Sequence, residues 1–161
     1  MKTKYLTIVL ALGLVAALGG AILLSARGET LLAAIRFDPR DIDMDGPAAV
    51  WWLATIRVDK AGPSWDTRDI NPETILFEGT VPSVDGYFIP GGYVARFNGL
   101  AVHNAILGAI YHMQLPPDYD KKIQPYFTVT GNLNDGTPFL GEGKIKVYFP
   151  YGVPPAPLPA P

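Results

Sequence analysis

The chain has no cysteine. A disulfide framework, a thiol nucleophile and a thiolate metal site are therefore excluded. Their absence leaves the compartment open, because an exported domain with an adequate core needs no bridges. Histidine is nearly as scarce, with only His103 and His112. Neither has an Asp, a Glu or a second His close by on the same face, so neither zinc-ligand spacing nor a proton shuttle is expected. No run of Lys and Arg occurs, and the net charge is −2. Phosphate contacts need clustered cations, so nucleic acid is not an expected partner. No serine stands in a G-x-S-x-G elbow, and Ser64 and Ser83 could join a Ser-His-Asp triad only formally. No catalytic residue and no enzymatic activity are expected. No tandem repeat is visible.

A further absence is of charge: no ionisable side chain of Asp, Glu, Lys or Arg lies between Lys4 and Arg27. Crossing a bilayer core as a helix takes about 20 apolar residues, and Tyr5–Leu24 supplies them. Lys2 and Lys4 precede the run, which places the N-terminus in the cytoplasm and the remainder outside. Two fates stay open. A retained anchor fits the length, since the apolar core of a signal peptide is only about 7–15 residues. Removal after export is served by Ala17-Leu18-Gly19, a readable cleavage site, whereas Leu24-Ser25-Ala26-Arg27 puts leucine at the outer recognition position. Gly13, Ala17 and Ala21 recur every four residues, as do Ala16 and Gly20. Such spacing lets two membrane helices approach closely, and it also arises by chance in alanine-rich segments.

Beyond the first thirty residues the chain is one domain by size, 31–149, ending in a proline tail. Leu31–Phe37 is a short apolar strand stopped by Asp38-Pro39. Ile42 and Met44 alternate with Asp41, Asp43 and Asp45 in a strand period of two. Val50–Val58 is the strongest strand, rich in aromatic and β-branched residues. Thr74–Phe77, Tyr93–Phe97, Tyr126–Thr130 and Lys144–Phe149 are further strands, and Gly79–Gly86 is expected to be a loop. Leu100–Leu107 is expected to be a helix, with Leu100, His103, Asn104 and Leu107 on one side. Asn134-Asp135-Gly136 is a hairpin turn signal. Pro150–Pro161 should be extended, polyproline-like and solvated, a spacer or a ligand for an aromatic groove.

Two constellations are candidate sites. Asp41-Ile42-Asp43-Met44-Asp45-Gly46 has the D-x-D-x-D-G form that begins a calcium loop, but the twelfth position, which should carry a bidentate carboxylate, is Trp52. The alternative is a strand with Ile42 and Met44 facing in and three solvated aspartates protecting an edge. Calcium is thus the one ion considered, and no other cofactor is expected. Trp51 and Trp52 are adjacent on a strand and must face opposite sides. One fills the core; the other needs cover from a loop, a sugar ring, lipid headgroups or a protein partner.

Several segments resemble a known module. Asp69-Ile70-Asn71-Pro72-Glu73-Thr74-Ile75 is similar to the I-D/N-P-x-T-(I/L/V) segment of a small immunoglobulin-like β-sandwich module found in secreted and surface proteins of bacteria and archaea. Phe37-Asp38-Pro39, Trp52–Ile56, Phe77-Glu78-Gly79-Thr80-Val81-Pro82, Val94–Phe97 with Ala101-Val102, and Gly131–Gly141 (GNLNDGTPFLG) resemble further pieces in the same order. Asn98-Gly99 stands where the module usually has Asp-Arg. The resemblance spans roughly residues 35–149. It implies an antiparallel β-sandwich with one short helix and an extracytoplasmic setting, with no assigned activity. It also puts Asp41–Asp45 on a strand.

The expected protein is a mainly β, immunoglobulin-like sandwich behind an N-terminal transmembrane or signal helix. Its expected role is a non-catalytic structural or interaction protein on the outer face of a cell membrane. An accessory subunit of a membrane complex or a cell-surface assembly component would fit, with a protein partner or self-association. Two alternatives remain. One is a secreted filament subunit that exchanges Leu31–Phe37 between neighbouring sheets. The other is a carbohydrate-binding module using exposed Trp and Tyr.

Overall fold

The computed structural model describes residues 30–59, 62–113 and 121–151. The apolar run Tyr5–Leu24 and tail residues 152–161 lie outside the described residues. Among the described residues no helix is long and apolar enough to cross a membrane. In chain order the elements are β1 (Leu31–Asp38), β2 (Asp41–Asp43), β3 (Trp51–Val58), β4 (Ile70–Phe77), β5 (Val81–Ile89) and β6 (Gly92–Asn98). They are followed by α1 (Gly99–Tyr111), β7 (Lys122–Ile123), β8 (Tyr126–Leu133), β9 (Pro138–Lys144) and β10 (Lys146–Tyr148).

The fold is mainly β, and seven strands close into a barrel in the order β1-β3-β6-β5-β4-β8-β9. Here the structure departs from the expected immunoglobulin-like sandwich of two separate sheets. Two seams produce the closure. On one side the β4–β5 hairpin, with Phe77 opposite Val81, joins what would have been separate sheets. On the other, β1 pairs antiparallel with β3 and parallel with β9, Leu31 lying opposite Phe139 and Ala34 opposite Glu142. The seams are short: β4 and β5 share only Leu76–Pro82 and Phe77–Val81, and β1 meets β9 only over Leu31–Ala34, so the rest of each seam carries no strand pairing. A separate small sheet, β2-β10-β7, sits at one end.

Period-two alternation fills the barrel. Trp52, Ala54 and Ile56 of β3 point inward, as do Tyr93, Ala95 and Phe97 of β6. Phe77 is the hub. Its ring lies 5.7 Å from Phe37 and 6.1 Å from Phe97, both edge-on, and 5.7 Å from Phe127, stacked. Offset and edge contacts of this kind suit the ring quadrupoles and add to the burial of large apolar surface.

Several elements differ from the sequence expectation: β7 and β9 were not expected, and the strand expected at Lys144–Phe149 shortens to β10, with Lys144 ending β9. Segment 79–86, expected as a loop, belongs mostly to β5, a nine-residue strand. Pro82 is tolerated because it stands at the strand's start. Gly86 is needed because a Cβ there would come within 2.3 Å of the Val94 carbonyl oxygen and 2.4 Å of Tyr93 Oη. Helix α1 is longer than expected, 13 residues, and buries another face: Val102, Ile106 and Ile110 are inside while Leu100 and Asn104 are exposed. Their four-residue spacing makes one inward stripe. Asn98 caps the helix, its Oδ1 accepting from Ala101 N at 3.0 Å.

Candidate functional site

The pleat of β3 decides the fate of the two tryptophans. Trp52 is 1% exposed and Trp51 is 42% exposed. The outer face of the β1-β3-β6-β5 wall can be read from register. Trp51 is opposite Asn98, and Leu53 is opposite both Arg96 and Asp38. Arg96 is in turn opposite Asp85, and Val94 is opposite Tyr87. Direct partners share a face. These positions bring Trp51, Leu53, Tyr87 and Arg96 to one patch at the end of the wall where α1 begins.

The patch is concave. A shallow groove of about 400 Å³ is bounded by Asp38, Pro39, Trp51, Leu53, Tyr87 and Arg96. The Arg96 guanidinium sits 4.4 Å from the Trp51 ring centroid, a cation–π contact. It is held there by Asp85, whose carboxylate accepts from both Nε and Nη2 of Arg96. The pair raises the guanidinium pKa further above its ordinary value. One face of the indole is therefore braced while the other is open. Tyr87 opposite is 55% exposed. Val50 and Leu100, also exposed, flank this end of the wall, joined through the bond from Gly99 N to the Val50 carbonyl.

The aspartate run resolves differently. Asp41, Asp43 and Asp45 are all exposed, while Ile42 and Met44 are buried. Strand β2 runs parallel to β10, with Asp41 opposite Lys146. The Lys146 Nζ lies 3.7 Å from Asp41 Oδ1. Asp43 Oδ1 accepts from Asp45 N at 3.0 Å, and Asp45 Oδ2 accepts from Tyr151 N at 3.1 Å. Each carboxylate thus serves its own protein partner. Among the described residues no three His, Cys, Asp or Glu side chains gather around a point that could hold a metal ion. The three carboxylates stand exposed and apart, the arrangement expected of the solvated edge.

Among the described residues no hydrogen bond joins Ser64 or Ser83 to His103 or His112. Ser64 lines a second hollow with Val58, Trp65, Asp66, Thr67 and Gly91. It lies beyond the Val58 end of β3, whereas His103 is on α1, at the Trp51 end. Seven strand steps at about 3.3 Å separate those ends by roughly 23 Å. Ser83 Oγ donates to the Pro72 carbonyl. The Asp66 carboxylate in the second hollow is bound by Arg68, which lowers its pKa. His103 Nδ1 and Trp52 Nε1 are buried without a hydrogen-bond partner.

Sequence reasoning singled out Trp51 and Trp52 but missed Arg96, Asp85 and Leu53. The Asp85–Arg96 pair is visible only once β5 and β6 are in register. Comparison with family models, with curated proteins and with solved structures gives no match.

Proposed function

We propose that this protein is a non-catalytic interaction protein on the outer face of a cell membrane, tethered or exported by Tyr5–Leu24, and that the Trp51 groove is its partner-binding face. The observation that carries the reading is the braced indole. An exposed tryptophan is held by an arginine that is itself held by an aspartate, in an open groove beside an exposed tyrosine. Aromatic anchors fixed in advance lose little freedom on binding, and interface energy concentrates in Trp, Tyr and Arg.

Topology supports the same reading. The described chain begins at the Leu31 end of β1, and the groove lies at the Asp38 end, up to about 23 Å further along the strand. With residues 5–24 in a bilayer, the groove would face away from it. Strand order supports placing the barrel with the immunoglobulin-like module that the sequence resembles. In β1-β3-β6-β5 and β4-β8-β9 the constant-type order A-B-E-D and C-F-G can be followed strand for strand. In this reading the closed wall is such a sandwich with both edges zipped.

The test compares the parent with Trp51→Ala, both extracted from native membranes. The variant should keep the parent's melting temperature within a few degrees and lose the co-purifying partner. An unchanged co-purifying set would reject the face. Protease added to intact cells should digest the β domain, and its protection would reject the topology.

A further inference from the structure

The groove matches, in shape and chemistry, a kind of ligand that the chain itself carries. Residues 152–161 read Gly-Val-Pro-Pro-Ala-Pro-Leu-Pro-Ala-Pro, with five prolines and no charged side chain. A proline segment of this density favours the polyproline II helix, whose backbone has no internal hydrogen bonds and whose carbonyls are free to accept. Such segments dock in aromatic-lined grooves, where rings pack against prolines and side-chain donors meet the carbonyls. Trp51 and Tyr87 supply two aromatic walls, and Leu53 and Pro39 add apolar lining. The Trp51 indole N–H and the Tyr87 hydroxyl have no hydrogen-bond partner among the described residues, so both remain available as donors. The charges beside the rings, Arg96 and Asp85, already neutralise each other. Asp38 is the one further charge in the lining, so the groove disfavours an anionic ligand and accepts an uncharged one.

The end of the described chain is well placed. Tyr151 N is bound to Asp45 Oδ2, so the chain leaves the fold beside Asp45. Pro39 and Trp51 are each six residues from Asp45 along the chain. Six residues span at most about 20–22 Å even fully extended. Ten residues of polyproline II reach about 31 Å. The segment can therefore cross to the groove and still lay several residues along it. A tether this short gives an effective concentration on the order of millimolar, far above that of a neighbouring copy in dilute protein.

We propose that the Trp51–Leu53–Tyr87 groove is a polyproline-binding site and that its occupant in the free protein is this chain's own segment 152–161. The proposal rests on reading this face as an interface and names its ligand class. An external partner would gain the face by displacing the tail.

The chain's three tryptophans provide the assay. Full-length protein in detergent micelles, labelled with ¹⁵N-tryptophan, should give three indole signals: Trp51 in the groove, Trp52 in the core and Trp65 bonded to the Leu32 carbonyl. The Trp51→Phe variant identifies the first. A chain ending at Tyr151, and a full-length chain carrying Pro154→Ala and Pro157→Ala, should both shift the Trp51 signal and leave Trp52 and Trp65 in place. A synthetic peptide of residues 150–161 added to the shortened chain should return the Trp51 signal, saturably, to its full-length position. A Trp51 signal identical with and without the tail would overturn the proposal. So would a full-length signal that moves towards the shortened chain's position on dilution, since a neighbour's tail would then be the occupant. Neither result touches the partner-binding reading, which the co-purification of Trp51→Ala decides separately.

Discussion

Trp51 and Trp52 are joined by one peptide bond and live in different solvents. The inner face of the β1-β3-β6-β5 wall is a jigsaw. Trp52, Ala54 and Ile56 face Phe97, Ala95 and Tyr93 across the β3–β6 ladder, and all six are buried. The outer face is a display. Trp51 and Leu53 face Asn98 and Arg96, and the indole is stabilised by a charged stack and not by enclosure. The same strand thus carries core packing on its even positions and, in the proposed reading, the binding face on its odd ones. A change on one face should leave the other property nearly intact.

The strongest way to break that separation is to empty the inner position. Trp52→Ala removes a fully buried ring and leaves a cavity, which should cost about 3–5 kcal/mol. Trp51→Ala should cost less than about 1 kcal/mol, because an exposed cation–π contact is worth about 0.5–1 kcal/mol. Urea unfolding of the two variants checks both figures. Equal destabilisation would mean that the outer tryptophan is part of the core and that the two faces are not independent.

A middle-sized effect is expected where neither face decides. In the β8–β9 connection Gly136 has φ 87° and its N–H bonds the Leu133 carbonyl at 2.9 Å, while Leu133 N bonds the Thr137 carbonyl at 2.8 Å. This is a type I turn closed by a glycine in the left-handed region. A Cβ at Gly136 would meet nothing within 4 Å, so only the backbone objects to a side chain. Gly136→Val should destabilise by about 1–3 kcal/mol with no change in partner binding. Denaturant midpoints and co-purification read the two parts. No loss of stability would show that the turn relaxes to another form.

These contrasts also show which features were legible in the sequence. The tryptophan split follows from the pleat alone, and the Asn134-Asp135-Gly136 turn from local chemistry. Alternation across Ile42 and Met44 gives β2 for the same reason. Closure was not legible, because it depends on β1 meeting β9 about a hundred residues later in parallel, and no local period encodes that. Strand β5 was missed because Pro82 and Gly86 are turn signals, and only the Val94 carbonyl and the Tyr93 ring lying against Gly86 explain the glycine. The groove was half legible. Trp51 announces itself, whereas Arg96 and Asp85 become a brace only through the β5–β6 register, which shifts between Ser83 and Asp85.

The smallest expected effect sits where the two faces exchange an influence. Tyr93 belongs to the inner face, and burial raises its hydroxyl pKa above the ordinary tyrosine value; the Asp85 carboxylate adds to the rise. The folded state therefore holds the phenol proton more tightly than the unfolded chain does. A raised folded pKa gives stability that is fully present below the unfolded value of about 10 and is lost as pH rises from there through the folded value. The parent should lose stability above about pH 10 more steeply than Tyr93→Phe, which has no proton to release. Lysines titrate in the same range, but they do so in both proteins, so the difference between the two curves isolates Tyr93. Asp85→Asn should reduce that difference without removing it, because burial is the larger cause and Asp85 the smaller. If Asp85→Asn leaves the alkaline loss unchanged, the outer carboxylate is not sensed inside and the faces are more independent than the electrostatics imply. If it abolishes the loss, burial is not the main cause and the order of the two influences on Tyr93 is reversed.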